Sequence, residues 1–556
     1  MRKIVFAATS LLVLLSASGC ATQGIQAGDA QQQAAQACQE WFRTLDSATE
    51  HAGVRDAAAV PVPGFVQLRA DRFHAALGEG ANTAPDRQNY LKAWVRSLQQ
   101  LDAQARGYEI ANMPSALRAS LAAQAQVSNL PQAFVDHTQT CATRLTERDT
   151  QSPERMALLQ QRVQVPDSYS TVYRFFGLYA LTRYPFAAGV RSFEAQQQAV
   201  FDAASQAPVV DQIPNPRTSQ PRQRLRLLPP ESTPTAQPLH TTQITQMLTP
   251  TAQDPLRKPQ PTPQELESLF AQHAPSFDLE IASEDDKPGA LHWPANPALP
   301  LAIDTRSPVL YRQVAYTRYR GHSLLQLVYT LWFGARPRQS GAWVDLLAGH
   351  LDGIVFRVTL AHDGSPLVYD SMHPCGCYHF FFPTASARPK PAPQSGIEWA
   401  FSPQTVPALK PQERLVLRLE AGTHYLQHIG VETASTNATS AGRATVQSTH
   451  YSWRDYDSLR SLPLSHSSEG GASQGKTQQN SRSAFGPDGF IAVTDRLESW
   501  IFWPMGISRA GAMRQWGHHA TDFVVRRYFD DAHLLEQRFD FDPRHFASPS
   551  DATAQD

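Results

Sequence analysis

The sequence has no surplus of either charge, since 49 lysines and arginines stand against 50 aspartates and glutamates. Nucleic-acid-binding proteins usually carry a basic surplus, so we expect no nucleic-acid partner. The sequence also lacks a His-Glu-x-x-His motif, a phosphate-binding glycine loop and a dinucleotide fingerprint. The sequence therefore gives no support for a zinc metalloprotease site, a phosphate-binding loop or a dinucleotide-binding site. With 42% apolar residues over 556 positions, the chain can still bury cores in several domains.

Long hydrophobic runs are also missing after the N-terminus. The nearest candidate, Val172 to Val190, is rich in Phe and Tyr, but Arg174 and Arg183 interrupt it. Each arginine would cost roughly 2.5–3.5 kcal/mol in mid-bilayer, and Pro185 would kink or end a helix. We expect a core or hinge segment here, with an aromatic face resting on a membrane as the alternative.

The first twenty residues have the layout of an export signal. Arg2 and Lys3 precede a 12-residue, mostly apolar run from Ile4 to Leu15, which is too short for a comfortable membrane span. The following Ala17-Ser18-Gly19-Cys20 resembles the lipobox of bacterial lipoproteins, although Leu is commoner at the position of Ala17. The resemblance implies that residues 1–19 are removed and that Cys20 is acylated. Because Ala21 is not Asp, it also implies anchoring in the outer membrane, on the periplasmic face.

Only five cysteines are present. If Cys20 carries lipid, an even number remains, and disulfides persist outside the cytoplasm. Cys38 and Cys141 both lie in helix-like stretches, and we expect them to pair. Such a bond would close a loop of about 100 residues and contribute roughly 4–5 kcal/mol in the chain-entropy model.

Composition and periodicity predict a multi-domain α+β protein. Leu91, Trp94, Leu98 and Leu101 recur at the spacing of a buried helix face. The 13 prolines between residues 208 and 264 favour an extended linker. The predicted order is a lipidated tether (20–37), a helical domain (38–207), the Pro-rich linker (208–264), a β-rich domain (265–455), a flexible insert (456–488), a C-terminal helical region (489–545) and a tail (546–556).

Two local patterns refine this division. Ile354, Phe356, Val358 and Leu360 alternate with Arg357 and Thr359, which is typical of a half-buried strand. His362-Asp363-Gly364 supplies a turn, and a return strand starts at Leu367. In the C-terminal region, Ala510 to Tyr528 reads as an amphipathic helix that carries His518 and His519.

The most unusual stretch is 370–379, in which His373, Cys375, Cys377 and His379 fall at every second position. On a straight strand they would share one face about 6.8 Å apart, too far for one metal ion. Pro374 and Gly376 favour a bend instead. We therefore predict one compact centre here rather than a continuing strand.

Four interpretations of this centre stay open. Thiolate and imidazole together suit zinc or copper. Cys375 and Cys377 could form a small redox disulfide. A cysteine–histidine nucleophile is a third interpretation, and a structural turn with satisfied side chains is the fourth. His350, His424, His428 and His519 are candidates to converge on Cys375.

The third interpretation has a partial parallel. His350 followed by Ser371-Met372-His373-Pro374-Cys375 resembles the L,D-transpeptidase pattern, in which an upstream His precedes Ser/Thr-His-Gly-Cys. That resemblance implies attack of the cysteine on a peptidoglycan amide through an acyl-enzyme. Here the residues are spaced differently and Gly376 follows the cysteine, so the family is not assigned.

These observations predict a lipid-anchored envelope protein that is non-catalytic and has a binding or structural role. The membrane is the expected partner through the lipid, together with an envelope protein or peptidoglycan. The alternative is an envelope enzyme or metal-binding protein centred on His373, Cys375, Cys377 and His379, acting as a hydrolase, a transferase or a thiol redox protein.

Overall fold

The structure is a computed structural model that describes residues 30–206, 223–231, 239–251, 253–339, 344–393, 397–433, 447–464 and 480–546. The predicted signal, Cys20 and the tail beyond residue 546 lie outside the described residues. Helices fill the N-terminal third and two sheets fill the centre. The predicted α+β class is therefore confirmed.

The N-terminal region is helical around two apolar clusters. Its elements are α1 (30–51), β1 (Val60–Val62), β2 (Phe65–Ala70), α2 (Arg72–Glu79), α3 (Arg87–Asn112), α4 (Ser115–Ala125), α5 (Pro131–Gln151) and α6 (Pro153–Arg162). Helix α3 begins after Asp86, whose carboxylate accepts the backbone N–H of Asn89 at 3.0 Å. Leu91, Trp94 and Leu98 are buried on one face of α3, as their spacing predicts.

A disulfide fastens this region. Cys38 of α1 and Cys141 of α5, the pair expected from the sequence, are bonded across 103 residues of chain. Both lie in one cluster with Phe42 and Leu145. The bond therefore joins two helices that also pack through apolar side chains.

Two helices then lead toward the central sheets, α7 (Thr171–Phe176) and α8 (Tyr179–Gln206). Val172 to Val190 was predicted to be a core or hinge segment, and the core interpretation is wrong, because Phe175 and Phe176 are 75% and 71% exposed. Apolar burial does not hold α7 in place. Arg174 donates to the carbonyl of Met505 at 2.8 Å, and the N–H of Ser170 donates to the carbonyl of Gly506 at 2.8 Å.

A six-stranded sheet forms the centre of the molecule. Its strands, in spatial order, are β11 (Phe380–Pro383), β10 (Pro366–Met372), β9 (Gly349–Leu360), β8 (His322–Arg336), β7 (Val309–Tyr319) and β16 (Ser452–Asp455). All neighbours are antiparallel except β16 and β7. The predicted hairpin around residues 362–364 is β9–β10.

Strand β9 differs from the prediction in one respect. Arg357 and Thr359 are buried, as are their apolar neighbours, so the strand is not half-buried. The register places Arg357 opposite Asp370 of β10. Because the two side chains form an ion pair, the charge of Arg357 is accommodated inside the protein.

A second, five-stranded sheet packs against the first. Its order is β14 (Leu426–Thr433), β13 (Glu413–Leu419), β4 (Ser276–Ile281), β3 (Gln223–Leu228) and β15 (Gln447–His450). Phe277, Leu279 and Leu417 from this sheet share one cluster with Leu327 and Phe356 from the six-stranded sheet. The main core therefore lies between the two sheets.

The predicted Pro-rich linker contains parts of this core. It includes β3 and the helix α9 (Thr241–Leu248), and Leu227, Ile244 and Leu248 are buried in the main cluster. The prolines separate short apolar segments, and those segments bury enough surface to pack. Residues 207–222, 232–238 and 252 of this stretch lie outside the described residues.

The C-terminal region contains helices, as predicted, but they are short, and the predicted amphipathic helix from Ala510 to Tyr528 is wrong. Residues 489–545 hold only the short helices α11 (Ser499–Phe502) and α12 (Leu534–Arg538) besides single 3₁₀ turns. Residues 510–528 form turns and isolated bridges, because Gly511 and Gly517 have positive φ angles of 82° and 92°. From the predicted flexible insert, Tyr456 and Leu459 are buried.

The remaining elements are short and lie around the two sheets. They are α10 (Pro263–Gln272), β5 (Ala290–His292), β6 (Ala302–Asp304), β12 (Ala387–Pro389), β17 (Leu462–Pro463), β18 (Ser481–Arg482) and β19 (Phe539–Phe541). Among the described residues, no helix combines the length and apolarity needed to cross a membrane.

Candidate functional site

The unusual stretch of the sequence forms the turn between β10 and β11, which we call the 373–379 turn. The N–H of His373 donates to the carbonyl of Cys377 at 3.0 Å, and the N–H of Gly376 donates to the carbonyl of His373 at 2.8 Å. Gly376 has a φ of 91°, and a Cβ there would lie 2.4 Å from the carbonyl oxygen of Ala520. Only glycine fits this position. The segment is compact, as predicted, and does not continue the strand.

The two cysteines of the turn are free thiols. Cys375 is buried beside Trp332 and Met513, whereas Cys377 is only partly buried. The backbone N–H of Cys377 lies 3.4 Å from the sulfur of Cys375. The hydrogen bond between the two thiols and their burial hold the pKa of Cys377 well above its usual value. At neutral pH Cys377 is therefore a thiol and not a thiolate.

On one side of the turn, His373 belongs to a chain of four buried side chains. Its Nδ1 lies 3.1 Å from Asp352, whose other oxygen lies 2.9 Å from Nδ1 of His424. His424 stacks on Phe333 with ring centres 4.0 Å apart, and its Nε2 lies 3.3 Å from Asp286. We call this set, Asp286–His424–Asp352–His373, the closed network.

Charge in the closed network is balanced by direct contacts. Burial disfavours ionisation of Asp352, but His373, His424 and Arg496 outweigh it and hold the pKa of Asp352 well below its usual value. Burial also disfavours a charged His424, but hydrogen bonds to Asp286 and Asp352 outweigh it and raise the pKa of His424. The pKa of His373 is lowered by burial. The network is held together by these electrostatic contacts, although Nε2 of His424 meets Asp286 at 3.3 Å without hydrogen-bond geometry.

On the other side of the turn, His379 contacts a different carboxylate. Its Nε2 lies 3.0 Å from Asp370, which also pairs with Arg357 at 2.9 Å. The Arg357 guanidinium lies 3.7 Å from the ring centre of Phe529. Burial disfavours the charged Asp370, but Arg357 and His379 outweigh it and lower its pKa, so the group is an ionised acceptor.

The protonation of His379 follows from these contacts. Burial lowers the pKa of His379 to about 3, so its ring is neutral. Because Asp370 can only accept, Nε2 of His379 carries the proton and Nδ1 is an acceptor. This Nδ1 is buried and has no hydrogen-bond partner among the described residues.

The four predicted ligands therefore do not form one metal centre. His373 and His379 turn to separate carboxylates, and Cys375 is packed in an apolar cluster. Within the described ranges, no group of three or more His, Cys, Asp or Glu side chains is arranged to hold a metal ion. Of the other predicted histidines, His424 is linked to the turn through Asp352, and the ring of His519 lies near the backbone of Pro374. His350 instead contacts the carbonyl of Leu301 at 2.6 Å.

The open side of the turn borders a pocket of about 520 Å³. Its wall is largely aromatic, and several of the rings touch one another, such as Tyr378 and Tyr425 at 4.5 Å and Phe502 and Phe523 at 4.4 Å. The apolar and aromatic lining residues are Pro185, Phe186, Val190, Phe193, Leu347, Tyr378, Phe380, Trp399, Phe401, Tyr425, Phe502 and Phe523. The polar lining residues are Glu194, Cys377, His379, Glu398, Glu498, Thr521 and Arg527. We call this space the aromatic pocket.

Polar atoms without partners give the aromatic pocket its chemical character. One oxygen of Glu398 accepts the N–H of Phe523 at 2.6 Å, while the other is buried without a partner among the described residues. Burial raises the pKa of Glu498 to about 7 and also raises that of Glu194. The one cation of the wall, Arg527, already donates to Thr521 at 3.0 and 2.8 Å and to the carbonyl of Trp399. What remains for a ligand is a set of acceptors and carboxyl groups.

A wider hollow of about 830 Å³ lies between α9 and α10. Its lining is mainly polar and solvent-facing, with Gln243, Gln253 and Glu265 among the contributors. It has neither an aromatic wall nor the unpartnered buried acceptors of the aromatic pocket. The aromatic pocket is therefore the stronger candidate site.

Sequence reasoning found Cys377 and His379 but missed their carboxylate neighbours. Asp370 could have been found, because a hairpin turning at 362–364 places it opposite Arg357. Glu398 and Glu498 could not have been found from the sequence, because each comes from a loop outside the hairpin that carries the turn. Comparisons with protein families, curated proteins and solved structures found no match to this chain.

Proposed function

We propose that this protein is a lipid-anchored, non-catalytic binding protein of the bacterial envelope, and that the aromatic pocket holds its ligand. The observation that carries the proposal is a largely aromatic pocket whose wall also includes the carboxyl groups of Glu194, Glu398 and Glu498. Ligand pockets combine an apolar wall with a few polar groups that fix orientation.

The polar groups define the class of ligand. Carboxyl groups make up much of the polar part of the wall, and an ionised carboxyl group only accepts hydrogen bonds, so a ligand head that donates them fits. Three carboxyl groups, at positions 194, 398 and 498, face one arginine that is already engaged. A cationic head balances that charge, and a carboxylate head is repelled by it. We therefore propose an amphiphile with an apolar body and an amine head, with a hydroxyl head binding more weakly.

Binding is tested with N-phenyl-1-naphthylamine, an apolar fluorescent amine, and its displacement by dodecylamine, dodecanol and dodecanoate. We expect dodecylamine to displace the probe best and dodecanoate worst, with a difference of about tenfold or more. Equal displacement by the amine and the carboxylate would contradict the proposed head-group preference.

A matched pair of glycine substitutions locates the binding. Gly189 of α8 lines the aromatic pocket, and a Cβ there meets nothing within 4 Å. Gly189→Phe should therefore be tolerated at its Cβ, fill part of the pocket with its ring and abolish probe binding. Gly107 of α3 has equally open surroundings but lies outside the aromatic pocket, so Gly107→Phe should bind normally. Unchanged binding by Gly189→Phe would exclude this pocket as the ligand site.

The proposed anchor has its own test. Growth with a labelled palmitate should label the protein, because Cys20 follows the lipobox-like residues. Cys20→Ala should remove the label, whereas Cys375→Ala should keep it. Label that persists in Cys20→Ala would place acylation elsewhere or exclude a lipoprotein.

A thiol enzyme is the second candidate, because Cys377 and His379 line the same pocket and Asp370 orients His379. In such an enzyme, Cys377 would attack an ester carbonyl and pass its proton to Nδ1 of His379. The alcohol would leave with that proton, and a thioester would form. A stoichiometric burst of nitrophenol from p-nitrophenyl acetate, lost in Cys377→Ala but kept in Cys375→Ala, would favour this candidate.

A further inference from the structure

One surface of the protein exposes an unusual number of large apolar side chains. They come from two segments, α7 with the start of α8, and α11. The residues are Val172, Tyr173, Phe175, Phe176, Leu178, Leu181, Tyr184, Trp500 and Ile501, and we call this set the aromatic face. Trp500 is 78% exposed. Contiguous apolar surface of this kind marks an interaction site in a soluble domain.

The two segments belong to one region because they pack on each other. The rings of Phe186 and Phe502 are centred 5.4 Å apart, and those of Tyr173 and Trp503 are 6.2 Å apart. Gly177 lies so near Pro504 that a Cβ would approach it to 2.5 Å. The aromatic face is therefore built from both segments and fixed by their contacts.

Arginines outnumber acidic residues along the first segment of the aromatic face. The sequence from Ser168 to Phe193 contains Arg174, Arg183 and Arg191 but no Asp or Glu. Of the flanking acidic residues, Glu194 interacts with Arg191, Asp167 pairs with Arg526 at 2.5 Å, and Asp495 shares Arg509 with Asp488. The surface thus combines exposed aromatic and aliphatic side chains with Arg174 and Arg183. This composition fits an anionic lipid surface, where aromatic rings sit at the head-group level and arginines meet the charge.

We propose that the aromatic face docks on an anionic lipid bilayer without crossing it. If Cys20 is acylated, the nine residues between it and α1 span ten Cα–Cα steps, at most about 36 Å, so the folded part stays close to the bilayer. The aromatic pocket adjoins the face, since Phe186 and Phe502 line the pocket and hold the two segments together. The docking proposal depends only on the composition and charge of the aromatic face. Transfer of a ligand from the bilayer to the aromatic pocket would in addition rest on the proposed function.

The test uses the chain from residue 21, which keeps every described residue and has no acyl chain. It is floated with vesicles of phosphatidylcholine, with or without about one third phosphatidylglycerol. We expect binding to the anionic vesicles, and weaker binding in 0.5 M NaCl because salt screens exposed charges. Absence of binding to either vesicle would overturn the proposal.

Matched variants locate the contact. Phe175→Ser with Trp500→Ser should reduce vesicle binding by about tenfold or more, because affinity follows buried apolar area. Leu130→Ser with Leu299→Ser removes two apolar side chains that are exposed elsewhere, at 68% and 50%, and should bind normally. Equal binding by both double variants would overturn the proposal.

Two further measurements separate the alternatives. N-phenyl-1-naphthylamine binding by the Phe175→Ser, Trp500→Ser variant should be unchanged, which shows that it is folded and that its pocket is intact. The wild-type chain could instead be a dimer that does not bind vesicles, while the double variant is a monomer. That result would assign the aromatic face to contact with a second copy and overturn lipid docking.

Discussion

His373 and His379 stand at the two ends of one seven-residue turn, and both are buried beside a carboxylate. The difference lies in their neighbours. His373 belongs to the closed network, in which Asp352 is shared with His424 and approached by Arg496 at 3.7 Å. His379 shares Asp370 with Arg357, and its Nδ1 has no hydrogen-bond partner among the described residues. The first histidine belongs to a network of charged groups, whereas the second borders the aromatic pocket.

This comparison shows how a binding site can be recognised without relatives. Groups that stabilise a fold have their partners inside it, while groups kept for a ligand carry an unmet cost. If this holds, substitutions in the closed network should destabilise the protein. Neutralising a polar group of the aromatic pocket should stabilise it.

The largest effect is expected for Asp352→Asn. The substitution preserves shape but removes the charge that balances His424 and Arg496. Breaking a buried pair costs about 3–5 kcal/mol, so the free energy of unfolding in urea should fall by that order. Asp136→Asn on the exposed surface of α5 is the control and should change it by less than about 0.5 kcal/mol. If the free energy of unfolding of Asp352→Asn falls by less than about 1 kcal/mol, the distinction between the closed network and the aromatic pocket is not supported.

Glu498→Gln should act in the opposite direction. The folded protein holds Glu498 at a pKa of about 7, above the unfolded value, so it binds more protons than the unfolded chain. The tighter proton binding stabilises the folded state below pH 4.5, and this stabilisation is lost as the pH rises toward 7. Gln does not titrate and so does not lose stability over this range. At pH 8 the variant should therefore be more stable than wild type by about 1–3 kcal/mol. Glu147→Gln, an exposed residue of α5, should not show the gain. A destabilised Glu498→Gln would mean that the carboxylate serves the fold.

His424→Gln sharpens the comparison through its pH dependence. The pKa of His424 is raised in the folded state, so its charged form stabilises the protein below the unfolded value. That contribution is lost as the pH rises through the folded pKa. The stability penalty of His424→Gln should therefore be larger at pH 5.5 than at pH 9.5, measured by urea unfolding. An equal penalty at both values would mean that His424 contributes only by packing.

The smallest effect concerns the reactivity of the thiols. Cys377 borders the pocket and Cys375 is buried, so iodoacetamide should modify Cys377 first in the native protein. The raised pKa of Cys377 should make the reaction slower than with free cysteine at pH 7.5. Peptide mass spectrometry after timed quenching gives both rates. Faster reaction than free cysteine would indicate an activated nucleophile and favour the enzyme candidate.

Expectations that rest on local chemistry agree with the structure. Pro374 and Gly376 do bend the chain after β10, because one lacks a backbone donor and the other accepts a positive φ. The prediction that the Pro-rich stretch is an extended linker was wrong, because the short apolar runs around Leu227 and Ile244 pack in the core. The predicted helix over 510–528 failed because its glycines adopt left-handed turns.

Side-chain spacing and backbone preference, which act over a few residues, account for the local features: the periodic face of α3, the β9–β10 hairpin and the compact turn that carries His373 and His379. Tertiary packing, in contrast, selects which histidine joins the closed network and which borders the aromatic pocket. The partners come from chain segments far apart, since Asp286, Asp352 and His424 meet one end of the turn, while Glu398 and Glu498 border the other. Such convergence is set by how the two sheets and the C-terminal loops pack, and no short-range pattern encodes it.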